Sequence, residues 1–410
     1  MDLEMSIPSW AEVITEGKAR IIAPRKDLFL RSNGIYEPSH APVFYNPVMV
    51  FNRDILIVFL NTYSKLFKRI RSASDPMAAT GVRGVRIALE VDGVSEIVLN
   101  DIDPLACKIM RLNISLNNVS RLSRIYCEDA NQLMISLSKS GIHVDFLDID
   151  PYGSPAPYIE SAARYAGIGG LLAITATDLG PLMGRYPLKA YRKYRARVDP
   201  KIDFRRELGL RVLIFSVVSK ASERDIALRP LLSYYADHYY RVYFSIDIGA
   251  SKADQILAKT GYIMLCQLCG YREPSLDPLS RVACPKCGFK MTLLGPAWLG
   301  TLADSEILKG LASHVDSFMW LHTRDRIRRL ISTLEDEERV GRPFFYRIDY
   351  LSRREKVNMP PRERLISCLR SMGYEATRTH FDSLGVKTNA DIDDITRCLE
   401  VEKGFGLHRA

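Results

Sequence analysis

The amino-acid sequence predicts an α/β fold built on a parallel sheet, followed by a smaller C-terminal α+β domain. Between residues 95 and 180, short apolar segments alternate with longer amphipathic segments, a pattern typical of strands joined by crossover helices. The full length of 410 residues is more than a single hydrophobic core usually supports. We therefore expect two domains, at residues 1–255 and 256–410.

The elements predicted for the first domain alternate along the chain. Strands are predicted at 96–103, 123–130, 143–150 and 170–178, with helices at 104–118 and 156–166. A helix over 205–222 and a strand over 238–249 follow. Upstream, Gly81 and Gly84 predict a tight turn that opens a helix, whereas the preceding "KRIRSAS" (68–74) makes a poor strand.

The second domain is predicted to combine a metal-binding pattern with helices. A long charged helix is expected over 304–338 and another over 361–373, and Leu384-Gly385 suggests a hairpin turn. Cys266 and Cys269 form one CxxC pair, and Cys284 and Cys287 form a second pair after fourteen intervening residues. Two such pairs supply the four thiolates of a tetrahedral structural zinc site. A redox pair or free thiols are the alternatives.

Composition and charge narrow the class of protein. The N-terminal residues lack the basic start and apolar centre of a signal peptide, and no apolar run is long enough to span a membrane. We expect a cytoplasmic protein with no membrane association and no evident obligate protein partner. The four remaining cysteines, Cys107, Cys127, Cys368 and Cys398, are scattered, and in a cytosolic chain they are expected to be ordinary thiols.

A basic segment points to a polyanionic partner. The net charge is +9, and residues 189–211 hold nine Lys or Arg against three acids, with Tyr191 and Tyr194 between them. Cations can neutralise phosphates while aromatic rings stack on bases, so this segment suits RNA. A solvated helical face is the alternative.

Acidic residues end the predicted strands. They are Asp101 and Asp103, Glu128 and Asp129, Asp148 and Asp150, and Asp178. Ligands of parallel sheets bind beyond the carboxyl ends of the strands, and a carboxylate can accept both hydroxyls of a ribose. These positions therefore predict a nucleoside-binding crevice. Helix capping is an alternative that could cover Asp103 and Asp178 but hardly the whole series.

The end of the third predicted strand, "DIDPYGSP" (148–155), suggests a specific chemistry. An amino group conjugated to a heterocycle is a poor nucleophile, and a carboxylate that accepts its N–H stabilises the positive charge that develops on attack. An aromatic ring after the proline can stack on a base that has left its helix. The pattern favours methylation of an exocyclic amine, although a capped strand end followed by a turn is the commoner meaning of such residues.

Several motifs in order make the chain resemble the tRNA (guanine-26-N2)-dimethyltransferase family. They are "EGKARI" (16–21), "PVFYNPVMVFNRDI" (42–55), "ATGVRGVRIALE" (79–90), "NDI" (100–102), "DIDPYGSP" (148–155), "TATD" (175–178), "DHYYRVY" (237–243), "GPAWLG" (295–300) and "GYEATRTHFDSLGVKT" (373–388). The resemblance implies a Rossmann-like class I methyltransferase fold and transfer of one or two methyl groups from S-adenosylmethionine to guanine N2 in tRNA. It also implies that the zinc-bearing domain helps to bind the tRNA.

The same resemblance implies roles for individual residues. Asp150 would hold the guanine amine, while Tyr152 and Phe44 would position the base; core packing is the alternative for Phe44. The residues implied for the cofactor are Arg53 at its carboxylate, Asp101 at its ribose, Asp129 and Ala130 at its adenine edge, and Asp75 and Gly81 at its turn. A surface ion pair is the alternative for Arg53.

The family pattern is not matched everywhere, and two rival functions stay open. Tyr152 stands where Phe is more familiar, Met183 where we would expect Cys, and Arg206 where we would expect His. One rival is a methyltransferase of another exocyclic amine. The other is a zinc-ribbon RNA-binding protein whose methyltransferase fold is inactive.

Overall fold

A computed structural model describes residues 7–277 and 282–405 of the chain. The chain divides into two compact units that interleave along the sequence. The first contains the residues up to Thr175 together with Tyr243–Asp247 and Lys309–Arg329, and the second contains Ala176–Val242, Ile248–Leu308 and the residues from Leu330 onward. The boundary predicted near residue 255 separates two folding domains. The compact units do not test this boundary, and it stays a prediction.

The described strands form four sheets, and the largest has seven strands in the order β5-β4-β3-β6-β7-β9-β8. Its strands are β3 (Ser72–Asp75), β4 (Glu96–Asn100), β5 (Ser123–Tyr126), β6 (Val144–Ile149), β7 (Ala166–Ala176), β8 (Ile226–Ala236) and β9 (Tyr239–Ile248). The first five pair in parallel. Only two residues join β8 to β9, a connection that antiparallel strands alone allow. This architecture confirms the predicted α/β class.

One central strand escaped the sequence prediction. β3 covers Ser72–Asp75, which overlaps the segment dismissed as a poor strand, and it lies between β4 and β6. Its small residues Ala73 and Ser74 are 1% exposed. Strand periodicity is read from large alternating apolar side chains, and a four-residue strand of small residues carries almost none of that signal.

Helices accompany these strands up to residue 257. They are α1 (Val50–Leu66), α2 (Val82–Glu90), α3 (Pro104–Leu116), α4 (Ala130–Lys139), α5 (Ile159–Tyr165), α6 (Leu179–Leu182), α7 (Pro187–Tyr194), α8 (Arg205–Ser222) and α9 (Ala250–Leu257). Near the N-terminus, β1 (Ala11–Glu16) and β2 (Ala19–Pro24) pair antiparallel. The helices predicted at 104–118, 156–166 and 205–222 correspond to α3, α5 and α8. Within the described residues, no helix has both the length and the apolar character that a membrane span requires.

The C-terminal part carries two three-stranded sheets and further helices. The strands are β10 (Thr260–Leu265), β11 (Arg272–Ser275), β12 (Thr292–Trp298), β13 (Tyr346–Arg347), β14 (Ala376–Arg378) and β15 (Gly385–Thr388), and the helices are α10 (Ser305–His314), α11 (Arg324–Val340), α12 (Ile348–Glu355), α13 (Arg362–Ser371) and α14 (Ile392–Phe405). The predicted hairpin exists, since β14 and β15 pair antiparallel, but Gly385 begins β15 instead of forming the turn.

The single helix predicted over 304–338 was wrong. α10 ends at His314, and α11 begins only at Arg324. Phe318 and Leu321, in the connection, are buried, and Thr323 Oγ1 donates a hydrogen bond of 2.7 Å to Asp54. The connection contains no Gly or Pro, the residues that usually mark a helix break in sequence, so the sequence pattern alone did not reveal it.

The expectation of four ordinary thiols was also wrong. Cys107 forms a disulfide with Cys127, and Cys368 forms one with Cys398. Their Cα atoms lie 6.1 and 5.8 Å apart, within the range that a disulfide bridges. The partners are 20 and 30 residues apart in sequence, so their proximity arises from the packing of separate elements.

Candidate active site

The carboxyl ends of four parallel strands bring the predicted acidic residues to one edge of the sheet. Asp75 ends β3, Asp101 follows β4 by one residue, Asp129 lies just beyond β5, and Asp150 follows β6 directly. The strands are neighbours in the order β5-β4-β3-β6. Ligands of such sheets bind beyond these ends, so the structure brings the predicted series together.

A tightly packed turn with left-handed residues connects β3 to α2 at this edge. Ala79 and Gly81 have φ angles of 48° and 75°, and a Cβ added to Gly81 would lie 2.8 Å from Met110 Cγ. Asp101 Oδ2 accepts a hydrogen bond of 2.8 Å from the Ala79 backbone N–H. Because glycine alone enters this region without strain, Gly81 is required for the shape of the turn.

Helix capping accounts for part of the acidic series. Asp129 Oδ1 accepts from the backbone N–H groups of Asn131 and Gln132, at 2.9 and 3.0 Å, and so caps α4, in which Ala130 is the first residue. Asp103 caps α3. The carboxylate of Asp178 instead accepts a hydrogen bond of 2.6 Å from Tyr194 Oη. Asp129 therefore has a capping function besides the cofactor role implied for it.

The DPYG segment places a carboxylate and an aromatic ring side by side at the sheet edge. Asp150 is 17% exposed through its side chain, while Tyr152 is 81% exposed. The ring of Phe44 lies edge-on to that of Tyr152, with centroids 6.0 Å apart and planes at 69°. Phe44 is 38% exposed and its neighbour Tyr45 only 4%. Tyr45 thus belongs to the hydrophobic core, whereas Phe44 does not.

Arg83 lies at the centre of the acidic cluster, and the sequence prediction missed it. Its guanidinium donates a hydrogen bond to Asp150 Oδ2 through Nη2. It also lies 3.2 Å from Asp148 Oδ2 and 3.8 Å from Asp75 Oδ2, and Nη1 donates to Asn52 Oδ1 at 2.9 Å. The motif "ATGVRGVRIALE" (79–90) includes Arg83, but no local pattern in it indicates that this residue meets three carboxylates.

Crowded carboxylates perturb the titration of this cluster. Burial, together with the negative charges of Asp148 and Asp150, raises the pKa of Asp75 from 3.8 to about 7, although the charge of Arg83 acts to lower it. Perturbed carboxyl groups in a ligand-binding edge are typical of functional sites. Asp75 therefore changes its charge near neutral pH.

Arg53 belongs to a different buried network. Its Nε and Nη2 donate to the two carboxylate oxygens of Glu16 at 2.6 and 2.7 Å, and Arg86 Nη1 lies 3.0 Å from the same carboxylate. Burial alone would raise the pKa of Glu16, but the charges and hydrogen bonds of Arg53, with the charge of Arg86, lower it to about 2. The ion pair of Arg53 is thus buried, whereas the alternative considered from the sequence was an ion pair on the surface.

The four cysteines of the second unit form one cluster. Their Sγ atoms all lie within 4.8 Å of one another, and ideal tetrahedral Zn–S geometry requires sulfurs about 3.8 Å apart. The glycines that follow the two pairs, Gly270 and Gly288, have φ angles of 76° and 71°. Each donates its N–H to the carbonyl of the first cysteine of its pair, at 2.9 Å. The two knuckles are therefore similar in shape and direct their thiols towards one point.

Comparisons with known proteins agree with these features. A model of the N2,N2-dimethylguanosine tRNA methyltransferase family matches residues 17–400. The chain is 40% identical over 387 residues to the tRNA (guanine(26)-N(2))-dimethyltransferase of Sulfolobus acidocaldarius, covering 94% of this chain and 97% of that protein. It is 36% identical over 389 residues to the protein of the same name from Saccharolobus solfataricus, covering 94% and 98%.

A solved structure shows the same similarity in three dimensions. The structure of Trm1 from Pyrococcus horikoshii in complex with S-adenosyl-L-methionine superposes with a TM-score of 0.81 and 33% sequence identity. The superposition covers 95% of this chain and 99% of that one. The similarity therefore extends through both compact units.

Proposed function

The chain belongs to the N2,N2-dimethylguanosine tRNA methyltransferase family, and we propose that it transfers one or two methyl groups from S-adenosylmethionine to N2 of guanine 26 in tRNA. The observation that carries the proposal is the acidic sheet edge, where Asp150 and Tyr152 stand beside the left-handed turn at Gly81. S-adenosylmethionine supplies an electrophilic methyl group bound to a sulfonium. Residues of this chain would bind the target amine, position the base and hold the cofactor.

Asp150 is the proposed acceptor for the target amine. Guanine N2 is a weak nucleophile because its lone pair is delocalised into the ring, and its attack leaves positive charge on nitrogen. A partly exposed carboxylate is suited to accept one N–H and then the proton. The Arg83 guanidinium donates to the same carboxylate, which fixes the orientation of Asp150.

Tyr152 and Phe44 are proposed to contact the target base after it leaves the tRNA helix. Enzymes that act on a base inside a helix extrude it and stack it against aromatic side chains. Both rings have exposed area, and their edge-on arrangement lets a base lie flat on one ring with the other at its rim. The replacement of Phe by Tyr at 152 preserves this stacking surface.

The remaining strand ends suit a nucleoside cofactor. The turn at Ala79 and Gly81 permits close approach of a ligand to the backbone, and Asp101 and Asp129 present carboxylates at the adjacent strand ends. Asn52 is 0% exposed, and its Nδ2 donor has no hydrogen-bond partner within the described residues. A buried unsatisfied donor is costly, and a ligand carboxylate would satisfy it. Asn52 therefore joins Arg53, Asp75 and Ala130 among the residues proposed to hold S-adenosylmethionine.

We further propose that Cys266, Cys269, Cys284 and Cys287 hold a structural Zn²⁺. Four thiolates fill the tetrahedral coordination of the ion and leave no open position for chemistry. The metal would stabilise the β10-β11-β12 region, since β10 ends at Leu265, immediately before the first ligand. In this proposal the metal stabilises residues 256–410, and these residues help to bind tRNA without taking part in methyl transfer.

The proposal is tested by methyl transfer to defined tRNA transcripts. Labelled S-adenosylmethionine is offered to tRNA with guanine or adenine at position 26, and the digest is analysed for N2-methylguanosine and N2,N2-dimethylguanosine. We expect label only in the guanine transcript. Equal labelling of both transcripts would move the target elsewhere, and no labelling of either would favour another acceptor or an inactive fold.

Asp150→Asn tests the assigned role in the same assay. Loss of the accepting carboxylate is expected to lower the transfer rate by about 10² to 10⁴-fold, with cofactor affinity by calorimetry unchanged. Asp145→Asn is the matched control, because Asp145 lies on the same strand at the opposite end, is similarly exposed, and pairs with Lys68. Full activity in Asp150→Asn, or equal loss in both variants, would reject the role of Asp150.

A further inference from the structure

The basic segment predicted to contact RNA is divided by the structure into two parts of different character. Arg211 is 3% exposed and ion-pairs with Glu207, and Arg206 ion-pairs with Asp382. Tyr194, predicted to stack, is 0% exposed and donates to Asp178. These residues stabilise the second unit and are not available to a partner. Lys201 is exposed in the later part, whereas the earlier part, on and beside α7, exposes several cations together with aromatic rings.

Helix α7 presents that surface with a clear inner and outer face. Ala190 and Tyr194, four residues apart, are fully buried, as expected for one face of a helix. The outer face exposes Leu188 by 84% and Tyr191 by 55%, and Tyr186, directly before the helix, is 50% exposed. Large apolar side chains at this exposure form a patch that water solvates poorly.

The cations on this outer face have no acidic partners. Arg185, Lys189 and Arg192 are exposed, and within the described residues none of the three makes an ion pair. No Asp or Glu occurs between Asp178 and Asp199. The positive charge is therefore not neutralised by the protein itself, in contrast to the paired cations Lys220, Arg229 and Arg339 of the same unit.

The backbone beneath this face is held on both sides. Arg197 exchanges two backbone hydrogen bonds with Gly295, of 2.7 and 2.8 Å, and the ring of Tyr186 lies against Gly180, where an added Cβ would be 2.8 Å from the ring. Aromatic groups presented by a fixed backbone lose little conformational entropy on binding. The arrangement is thus suited to bind a ligand that is both anionic and aromatic.

We propose that Arg185, Tyr186, Leu188, Lys189, Tyr191 and Arg192, the α7 surface, bind the tRNA, with the cations on phosphates and the rings on unpaired bases. This inference rests on the proposed function, since it takes tRNA as the substrate. RNA is favoured over a protein partner because unpaired cations alternate with exposed rings, the combination that binds single-stranded nucleic acid. An acidic protein surface would match the charges but presents fewer flat groups for the rings than an unpaired strand, in which every nucleotide carries a base.

The charge component is tested with full-length protein and an unmodified tRNA transcript, by filter binding without S-adenosylmethionine. In the triple variant R185A/K189A/R192A, we expect tRNA affinity to fall at least tenfold. The slope of log affinity against log salt should also become smaller in magnitude by about two to three, since each of three lost phosphate contacts removes about 0.7 to 0.9. The variant K220A/R229A/R339A removes the same charge from paired positions and should keep the wild-type slope.

The stacking component is tested with Tyr186 and Tyr191. The double change Y186F/Y191F retains the rings and should keep tRNA affinity within about twofold, whereas Y186A/Y191A should lower it at least about tenfold, the loss expected for a single stacked base. In the methyl-transfer assay, the Ala variant should raise KM for tRNA with little change in kcat.

The outcomes distinguish this inference from the proposed function. Unchanged affinity and salt slope in R185A/K189A/R192A would overturn it and leave the α7 surface for a protein partner, even if methyl transfer to guanine 26 is established. Equal losses in the two triple variants would also overturn it, because the effect would then come from total charge. Salt-dependent binding through α7 would support it even if the methylated atom were a different one.

Discussion

At the residue scale, the excess of negative charge around Arg83 makes the sheet edge suited to bind a cationic group. Asp75, Asp148 and Asp150 face a single guanidinium, so complete ionisation leaves two uncompensated negative charges. Burial of like charges disfavours complete ionisation, and accordingly the pKa of Asp75 is raised to about 7. A bound sulfonium would compensate one of these two negative charges and so favour ionised Asp75.

The raised pKa of Asp75 predicts a pH dependence of stability. A carboxyl group whose folded-state pKa exceeds its unfolded value stabilises the fold at low pH, and this contribution is lost as pH rises from about 4 to about 7. It amounts to at most about 4 kcal/mol. Asp75→Asn mimics the neutral form, so its free energy of unfolding should fall less between pH 4.5 and 7 than that of the wild type, measured by urea denaturation.

Asp145→Asn provides the control for this measurement. Burial acts to raise the pKa of Asp145, but hydrogen bonds from Lys68 and the backbone outweigh it and lower the pKa below 3.8. Its titration therefore lies below the range measured. Parallel pH profiles for wild type and Asp75→Asn would show that Asp75 does not titrate near neutral pH.

At the scale of elements, the two cysteine knuckles, one on each side of β11 in the sequence, bring four thiols to one point. Cys266 and Cys284 are buried, whereas Cys287 is exposed. Cys266 Sγ lies 3.5 Å from Cys287 Sγ, and Cys269 Sγ lies 3.5 Å from Cys284 Sγ. In the proposed zinc site, four coordinate bonds to the ion would replace these weak contacts between thiols. Binding of the proposed metal would then be part of the folding free energy of this region.

For the two cysteine knuckles, we predict that removal of the metal destabilises the chain. The purified chain should contain one zinc per molecule, and chelation should lower the Tm by at least about 5 °C, equivalent to about 2 kcal/mol for a unit of this size. Cys287→Ser should have a lower Tm before chelation and respond less to the chelator. A chain without bound metal whose Tm equals that of the zinc-loaded chain would exclude a structural zinc.

At the scale of the whole molecule, each compact unit gathers segments that are distant in sequence. In the second unit, Glu207 on α8 is 0% exposed and lies 3.0 Å from Lys387 Nζ on β15. The same carboxylate accepts hydrogen bonds from the backbone N–H groups of Phe344 and Phe345, at 2.9 and 3.1 Å. One buried side chain thus joins three parts of the chain.

Neutralising Glu207 is therefore expected to destabilise the second unit. Burial alone would raise its pKa, but the charges of Lys387 and Arg211 and the hydrogen bonds lower it to about 2. Its contribution is present above pH 4.5 and lost as pH falls towards 2. Glu207→Gln leaves Lys387 buried with a weakened partner and should cost about 3 to 5 kcal/mol, measured by urea denaturation at pH 7.

Glu223→Gln is the comparison for this change. Glu223 pairs with Lys220 at the surface, where both side chains are well exposed, so its replacement should cost less than about 1 kcal/mol. Equal effects of the two substitutions would mean that burial adds nothing to the Glu207 pair and would contradict the prediction.

The amino-acid sequence by itself determined the features that depend on local pattern. The four strands at 96–103, 123–130, 143–150 and 170–178 follow from apolar runs between amphipathic helices. The spacing of Cys266, Cys269, Cys284 and Cys287 indicates a metal site because each knuckle is a local turn. Asp150 and Tyr152 were found because a strand end fixes where its next residues point. The roles assigned to these residues stay predictions.

Only the tertiary structure decided which distant side chains meet. It placed Arg83 among three carboxylates, paired Arg53 with Glu16, and joined Cys107 to Cys127. It also buried Arg211 while leaving Lys189 exposed, although both belong to one basic segment. The physical reason is that burial, ion pairing and disulfide formation depend on the path of the whole chain, whereas periodicity and spacing record only the conformation of neighbouring residues.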